Sequence, residues 1–234
     1  MLINGDCLEE MKSIESGSVD LIVADPPYNI SKKSNFHTMK DRTNQRTGTH
    51  FGEWDYTFEN SWIAEVDRLL KKGGWIVAFN DFKNATTIYE TMKENGFEYK
   101  DTLIWEKSNP MPRNRDRRFI SNVEMIQTFV KKGVWTFNRQ NEKYEGSVLR
   151  YPAESGGGFK RYHPTQKNLK MIEYLVKIFS NENETVLDFT MGSGTTGVAC
   201  KNLNRKFIGI ELDENYFNIA KDRIENHIVQ EELI

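Results

Sequence analysis

Apolar residues in this chain gather into short dense runs: Val19 to Ala24, Trp75 to Phe79, Thr102 to Trp105, Val123 to Val130, Thr185 to Phe189 and Phe207 to Ile210. Each has strand length and is rich in β-branched or aromatic residues, and near-continuous apolarity predicts strands covered on both faces. Helical spacing lies between several of them. Ser61 to Lys72 places Trp62, Val66, Leu69 and Leu70 on one face and stops at Gly73-Gly74, and Asn168 to Ser180 and Asn215 to Ile228 repeat the pattern. This alternation predicts an α/β fold, a mostly parallel twisted sheet with helices on both faces. The run from Val123, with the Lys132-Gly133 turn after it, predicts an antiparallel hairpin at one edge. No internal repeat is present.

Two stretches break the rhythm. Ser31 to Gly52 sets Lys32, Lys33, Lys40, Arg42 and Arg46 against Asp41 alone and reads as a long basic loop. Trp135 to Tyr162, with Glu145-Gly146-Ser147 and Ser155-Gly156-Gly157-Gly158, reads as an irregular insert. The segment Lys107 to Arg118 is basic too, through Arg113, Arg115, Arg117 and Arg118. Overall, 32 Lys+Arg against 34 Asp+Glu leave a formal charge of −2, so any attraction for a polyanion is local. Two cysteines, Cys7 and Cys200, make neither a disulfide framework nor a metal quartet, which predicts a reducing, cytoplasmic setting and no metal. No signal peptide and no membrane span are expected from runs this short.

Candidate chemistry sits at two strand ends. Gly192-Ser193-Gly194-Thr195-Thr196-Gly197 follows the strand that closes on Asp188 and opens a helix. Glycines there let backbone amides approach a ligand, and Glu211, ending the next strand, is placed for ribose hydroxyls. Tight packing is the plainer reading of such a turn, and NAD the other ligand. NAD needs a second mononucleotide half downstream, where only one helix follows Glu211. At the end of Val19 to Ala24 stands Asp25-Pro26-Pro27-Tyr28-Asn29. Prolines donate no N–H and stiffen the turn, Asp25 adds an anionic acceptor and Tyr28 a flat ring. The set suits an exocyclic amino group on a planar base. A rigid strand-ending turn is the bland alternative.

Together, Asp25-Pro26-Pro27-Tyr28 and Asp188-Phe189-Thr190-Met191-Gly192-Ser193-Gly194-Thr195-Thr196 resemble the amino-methyltransferases of DNA that use S-adenosylmethionine. With the catalytic tetrapeptide first and the glycine motif last, the order is similar to the beta class of N6-adenine enzymes. Asn4-Gly5-Asp6-Cys7, Phe51-Gly52-Glu53-Trp54-Asp55, Trp105-Glu106-Lys107-Ser108-Asn109-Pro110 and His163-Pro164-Thr165-Gln166-Lys167 also look like the family, so the resemblance covers nearly the whole chain. One departure is visible. Where the family often has Asp-Pro-Phe, this chain brings its aromatic, Phe189, one position early.

The resemblance implies a Rossmann-like methyltransferase fold in circularly permuted order. It divides the chain into a catalytic part (1–134), a small irregular target-recognition insert (135–162) and a cofactor-binding part (163–234). Asp6 and Cys7 would hold the cofactor adenine and Glu211 its ribose. Asp25, His163, Thr165, Gln166, Lys167, and the turn of Asp188, Phe189, Met191, Gly192, Ser193, Gly194 and Thr195 would complete the cofactor site. Asp6 can equally cap a helix beginning near Leu8. Asp25, Pro26, Pro27 and Tyr28 would be catalytic, Asp25 and the Pro26 carbonyl localising the amine lone pair of a base flipped out of double-stranded DNA. A carboxylate is too weak a base to remove the amine proton beforehand. Lys32, Lys33, Lys40, Arg42, Arg46, Arg113, Arg115, Arg117 and Arg118 are the candidate phosphate contacts. A homodimer fits the same picture, as does either a companion restriction endonuclease or an orphan enzyme with none. N4-cytosine methylation and an inactive DNA-binding relative are the competing readings; a tetrapeptide beginning with Asp25 resembles the adenine enzymes more.

Overall fold

The computed structural model describes residues 1–26, 62–110, 117, 119–154, 162–163 and 165–229. Of the candidate residues, Pro27, Tyr28, Lys32, Lys33, Lys40, Arg42, Arg46, Arg113, Arg115 and Arg118 lie outside them. In chain order the elements are β1 (Leu2–Asn4), α1 (Cys7–Glu10), β2 (Val19–Ala24), α2 (Trp62–Leu69), β3 (Leu70–Asn80), α3 (Ala85–Glu94) and β4 (Phe97–Lys107). They continue with β5 (Val123–Lys131), β6 (Val148–Tyr151), α4 (Leu169–Phe179), β7 (Thr185–Asp188), α5 (Thr195–Asn202), β8 (Lys206–Glu211) and α6 (Glu214–Glu225).

The eight strands form one sheet in the order β1-β8-β7-β2-β3-β5-β4-β6. All described pairings are parallel except β3–β5 and β5–β4, so β5 alone runs against the rest. Strand alternation divides the core. Ile22, Ala24, Ile76, Ala78 and Leu187 point to the face covered by α1, α2 and α3, where Trp62, Ile63, Val66, Leu69, Ile88 and Met92 are buried. Leu21, Val23, Trp75, Val77 and Phe79 point to the face covered by α4 and α5. Asn168 caps α4, its side chain accepting from the Met171 amide at 3.0 Å.

Three local expectations are corrected. The helix expected from Ser61 to Lys72 ends at Leu69, and Leu70 already belongs to β3. Leu70 lies opposite Val19 and Trp75 opposite Leu21, so the four residues between bulge out against Asp20 alone. Gly73 takes φ +80° there, with the Val134 carbonyl where a Cβ would stand, so this glycine pair serves a bulge and a close approach rather than a helix stop. Second, β5 is antiparallel but internal, paired on both sides by β3 and β4. Its hairpin partner precedes it, and Lys132-Gly133 leads out of the sheet. Third, the stretch expected to be irregular contributes β6, which pairs in parallel with β4 and forms one edge.

Residues 135–138 lie at the end of the sheet where β7 begins. Trp75 Nε1 donates to the Thr136 carbonyl at 2.5 Å, and the Asn138 amide donates to the Ile178 carbonyl at 2.8 Å near the end of α4. Glu154 lies at the other end, accepting from the Leu169 amide at 2.8 Å and from the Gln166 side chain.

Candidate active site

The chain order reverses between β2 and β7: from β2 the connection leads to β3 on one side, from β7 to β8 on the other. In an open α/β sheet the crevice at such a point, beyond the carboxyl ends of the strands, is where ligands bind. Four acidic or amide residues stand along that edge: Asp188 ending β7, Glu211 ending β8, Asn80 ending β3, and Asp25 just past β2. Glu124, one residue into the reversed strand β5, reaches the same edge opposite Trp105.

On the β7 side the glycine turn is held from three directions. Asp188 is buried; its Oδ1 accepts from the Thr190 amide at 3.1 Å and its Oδ2 from the Thr196 hydroxyl at 2.6 Å. Glu211 accepts the Gly192 amide at 2.8 Å on Oε2 and the Asp213 amide at 2.9 Å on Oε1. From α6, Arg223 donates to the Ser193 carbonyl at 2.5 Å and its hydroxyl at 2.9 Å while its guanidinium lies 4.4 Å from the Tyr162 ring centre. Gly194 takes φ +79° at the helix cap, where a Cβ would meet Ala220 of α6 at 2.9 Å. Glycine is demanded there twice, by conformation and by the helix behind it.

His163 packs over this turn. Its ring meets Tyr216 of α6 edge-on at 4.2 Å, and its Nδ1 accepts from the Thr165 amide at 3.3 Å. Gln166 takes the Tyr162 amide on its carbonyl oxygen at 3.0 Å. Thus His163, Thr165, Gln166, Gly192, Ser193 and Glu211 are brought together. The Met191 side chain is buried, with its sulfur packed on Gly209. Phe189 is not brought to the crevice: its ring is 1% exposed and stacks on Trp62 at 5.4 Å in the core. Phe189, directly after β7, falls on the same face as Leu187 two residues earlier, the one covered by α1, α2 and α3, so an aromatic one position early in the motif is carried into that core. Asp6 caps α1, its Oδ1 accepting from the Leu8 amide at 2.9 Å. Burial, with the nearby Asp6 charge, pushes the Cys7 thiol up to about 12, which favours its uncharged form.

On the β2 side the Lys167 ammonium stands 2.7 Å from Asp25 Oδ2 and 3.3 Å from Glu124 Oε2, with its side chain 9% exposed. Glu124 Oε2 is in ion-pair range of Lys167 but lacks hydrogen-bond geometry toward it. Glu124 Oε1 accepts from Lys107 at 2.5 Å. Lys107, which sequence grouped with the basic cluster, is therefore spent on an internal carboxylate. Arg117 is exposed. Glu124, Asn80, Thr190 and Arg223 were not among the sequence candidates. The only sequence signal for Glu124 is a charge at the head of an apolar run.

Burial pushes the Asp188 carboxyl from its ordinary 3.8 to about 7, against the pull of its hydrogen bonds, and the charges of Asp25 and Glu211 add to the rise. The folded chain then holds a proton that the unfolded chain releases. This group's contribution to stability is therefore full at acid pH and is lost as pH rises from about 4 to about 7. Asp188→Asn keeps the acceptor for the Thr190 amide and should flatten that part of the profile. Urea midpoints across this range will show it; identical slopes for variant and wild type would refute the assignment.

An α/β sheet with a glycine turn and strand-ending carboxylates at its switch point is the architecture of an enzyme that binds a nucleotide-like ligand. The DNA methylase family model (N6_N4_Mtase) matches residues 19–222. The chain is 32% identical to the Type II methyltransferase M.HinfI of Haemophilus influenzae, over 95% of this chain and 67% of that one. It is likewise 32% identical to the Type II methyltransferase M2.MboI of Moraxella bovis, over 95% of this chain and 86% of the relative. Among solved structures, M1.HpyAVI in complex with SAM superposes with a TM-score of 0.75 at 37% identity, covering 96% of this chain and 98% of the other. The PvuII cytosine-N4-specific DNA methyltransferase, at 20% identity and a TM-score of 0.74, shares the fold. This chain belongs to the DNA methylase family and is a DNA methyltransferase. Among the described residues no helix is long and apolar enough to cross a membrane.

Proposed function

We propose that this enzyme moves the methyl group of S-adenosylmethionine to N6 of an adenine flipped out of double-stranded DNA. The observation that carries the reading is the juxtaposition of two strand ends: Asp25 with Pro26 just past β2, and Asp188 ending the adjacent β7 with the glycine turn beyond it. In this reading Asp6 and Cys7 line the cofactor adenine, Glu211 meets the ribose with lone pairs its two amide contacts leave over, and His163 to Lys167 with Asp188 to Thr195 flank the methionine end. Two observations favour a polar cationic ligand here. The Thr190 hydroxyl oxygen and the Asn80 carbonyl oxygen are buried without a hydrogen-bond partner among the described residues, which costs about 1–3 kcal/mol each until a ligand or water supplies one. A cationic ligand would also draw Asp188 toward its charged form and sit beside the half-buried Glu211 carboxylate.

When bound, the cofactor presents an electrophilic methyl group on a sulfonium. Asp25 and the Pro26 carbonyl accept the two amine hydrogens of the base, drawing a lone pair otherwise delocalised into the ring onto the nitrogen. As the nitrogen–methyl bond forms and the methyl–sulfur bond breaks to leave a neutral thioether, the amine would become positive, Asp25 would stabilise that charge, and the surplus proton would leave afterwards to water. A base must leave the duplex to reach these groups, and the ring of Tyr28, two residues after Pro26, is the stacking partner we assign to it. The basic residues of 31–52 and 113–118 would hold phosphates. The kinship with type II enzymes extends the proposal to a companion restriction endonuclease, a homodimer and a cytoplasmic setting.

Asp25 favours adenine over cytosine by its resemblance to the adenine enzymes. Methylated DNA digested to nucleosides and weighed by mass spectrometry should contain N6-methyladenine. Finding N4-methylcytosine alone would overturn the choice of base and leave the fold and cofactor untouched.

A further inference from the structure

Lys167 is an ammonium taken almost wholly out of water, at 9% exposure, beside the carboxylate that acts on the substrate amine. Beyond it the signs alternate. Asp25 Oδ2 is 2.7 Å from Lys167 Nζ, Nζ is 3.3 Å from Glu124 Oε2, and Glu124 Oε1 is 2.5 Å from Lys107 Nζ. The four groups come from the end of β2, the segment before α4, the start of β5 and the end of β4, so the fold gathers them from four separate places. Lys167 Nζ also lies 4.9 Å from the Phe79 ring centre on β3. Buried ion pairs are poor stabilisers compared with apolar packing of the same volume, because desolvation offsets most of the attraction. An arrangement of this kind that ends on Asp25 is better explained by what it does to Asp25.

We propose that Lys167, Glu124 and Lys107 form a charge relay that positions Asp25, with Glu124 preventing the Lys167 ammonium from cancelling Asp25 as an acceptor. The proposal rests on the assignment of Asp25 to the substrate amine. The Lys167 contact fixes the turn of the Asp25 carboxylate about its Cβ–Cγ bond. Lys167 against Asp25 alone would present the amine with a neutral pair, and so with little pull on a charge that grows during transfer. Glu124 supplies the balancing negative charge and Lys107 closes the outer end, so the four groups sum to zero. Without the Glu124 charge the same space holds Asp25 and two ammonium groups, an excess of one positive charge beside an amine becoming positive. At these distances in a site poor in water that repulsion falls on the transition state more than on the bound substrates. Lys167, Glu124 and Lys107 are thus positioning residues.

The test compares Glu124→Gln with the double variant Glu124→Gln/Lys107→Met, using the whole chain, S-adenosylmethionine and a mapped DNA substrate. Glu124→Gln should lower kcat by about ten-fold or more while the cofactor Kd and the DNA KM stay within about three-fold. The double variant removes the excess charge and should recover at least about three-fold of that loss, whereas a merely structural role predicts further damage. Unchanged kcat in Glu124→Gln, a parallel loss of cofactor affinity, or a double variant no better than the single one would overturn the proposal. If Glu124→Gln does not fold, the double variant decides: normal cofactor binding with slowed turnover supports the relay, and full activity, or failure of both to fold, overturns it. Asp25→Asn is measured alongside. Full activity there removes the assignment of Asp25 itself, whereas an inactive Asp25→Asn with a fully active Glu124→Gln removes the relay alone.

Discussion

Asp25→Asn should lower kcat by on the order of 10²- to 10³-fold while cofactor affinity changes little. The amide retains an acceptor oxygen and nearly the same shape, so it isolates the charge that meets the amine. Alanine is the poorer probe: it opens a gap and strips Lys167 of its 2.7 Å partner, and breaking a buried pair from one side costs about 3–5 kcal/mol in stability. The phosphate contacts lie elsewhere, so DNA binding by Asp25→Asn should persist and still weaken with added salt. Single-turnover methylation with both substrates saturating is the measurement. A rate within a few-fold of wild type would mean that another acceptor orients the amine.

Gly194→Ala should damage both stability and cofactor binding. The residue sits at φ +79°, which costs an L side chain roughly 1–2 kcal/mol. Its Cβ would also stand 2.9 Å from the Ala220 Cβ, 3.1 Å from the Ala220 Cα and 3.0 Å from Ile224 Cδ1. Overpacking of this kind adds about 1–3 kcal/mol. Two of these neighbours are atoms of Ala220 with no rotamer to change, so α6 must move, and Arg223 on α6 carries the Ser193 carbonyl with it. Gly17 is the control: φ is +64° but nothing lies within 4 Å of a Cβ, so Gly17→Ala should show the conformational cost alone. Thermal unfolding with and without cofactor compares the two; equal losses in both variants would remove the packing argument.

The strand cores were legible because residues buried on both faces leave little but apolar side chains, as in Leu21-Ile22-Val23 and Trp75-Ile76-Val77. Elements with little burial were not legible. Helix α3 buries only Ile88 and Met92, too thin a stripe to read, and β6 is four residues with Val148 47% exposed. Gly73-Gly74 misled because a bulge and a helix stop ask for the same residue. Within the site, the motif residues could be found because their chemistry is local: a glycine turn, a proline turn, a strand-ending acid. Glu124 could not, since its partners Lys107 and Lys167 are distant in sequence and meet it only through the order of the strands. Phe189 was legible as an aromatic but not as a core residue, because which side it faces depends on where β7 ends.

The seam between β2 and β7 also governs how the chain must fold. Leu21 pairs with Val186 and Ile22 with Leu187, so the inner edge of β2 stays bare until residues 165 positions further along the chain have been synthesised. Contacts of such sequence separation form slowly, since a long loop must close before any pairing rewards it. A chain stopped before Thr185 would carry a complete β2–β3 pair with an apolar, unpaired strand edge, a template for association with other nascent chains. The crevice that holds the reacting groups is thus closed only once β7 has joined β2, and Glu211 reaches it only with β8, so the enzyme can gain its activity only after both of these late strands have arrived.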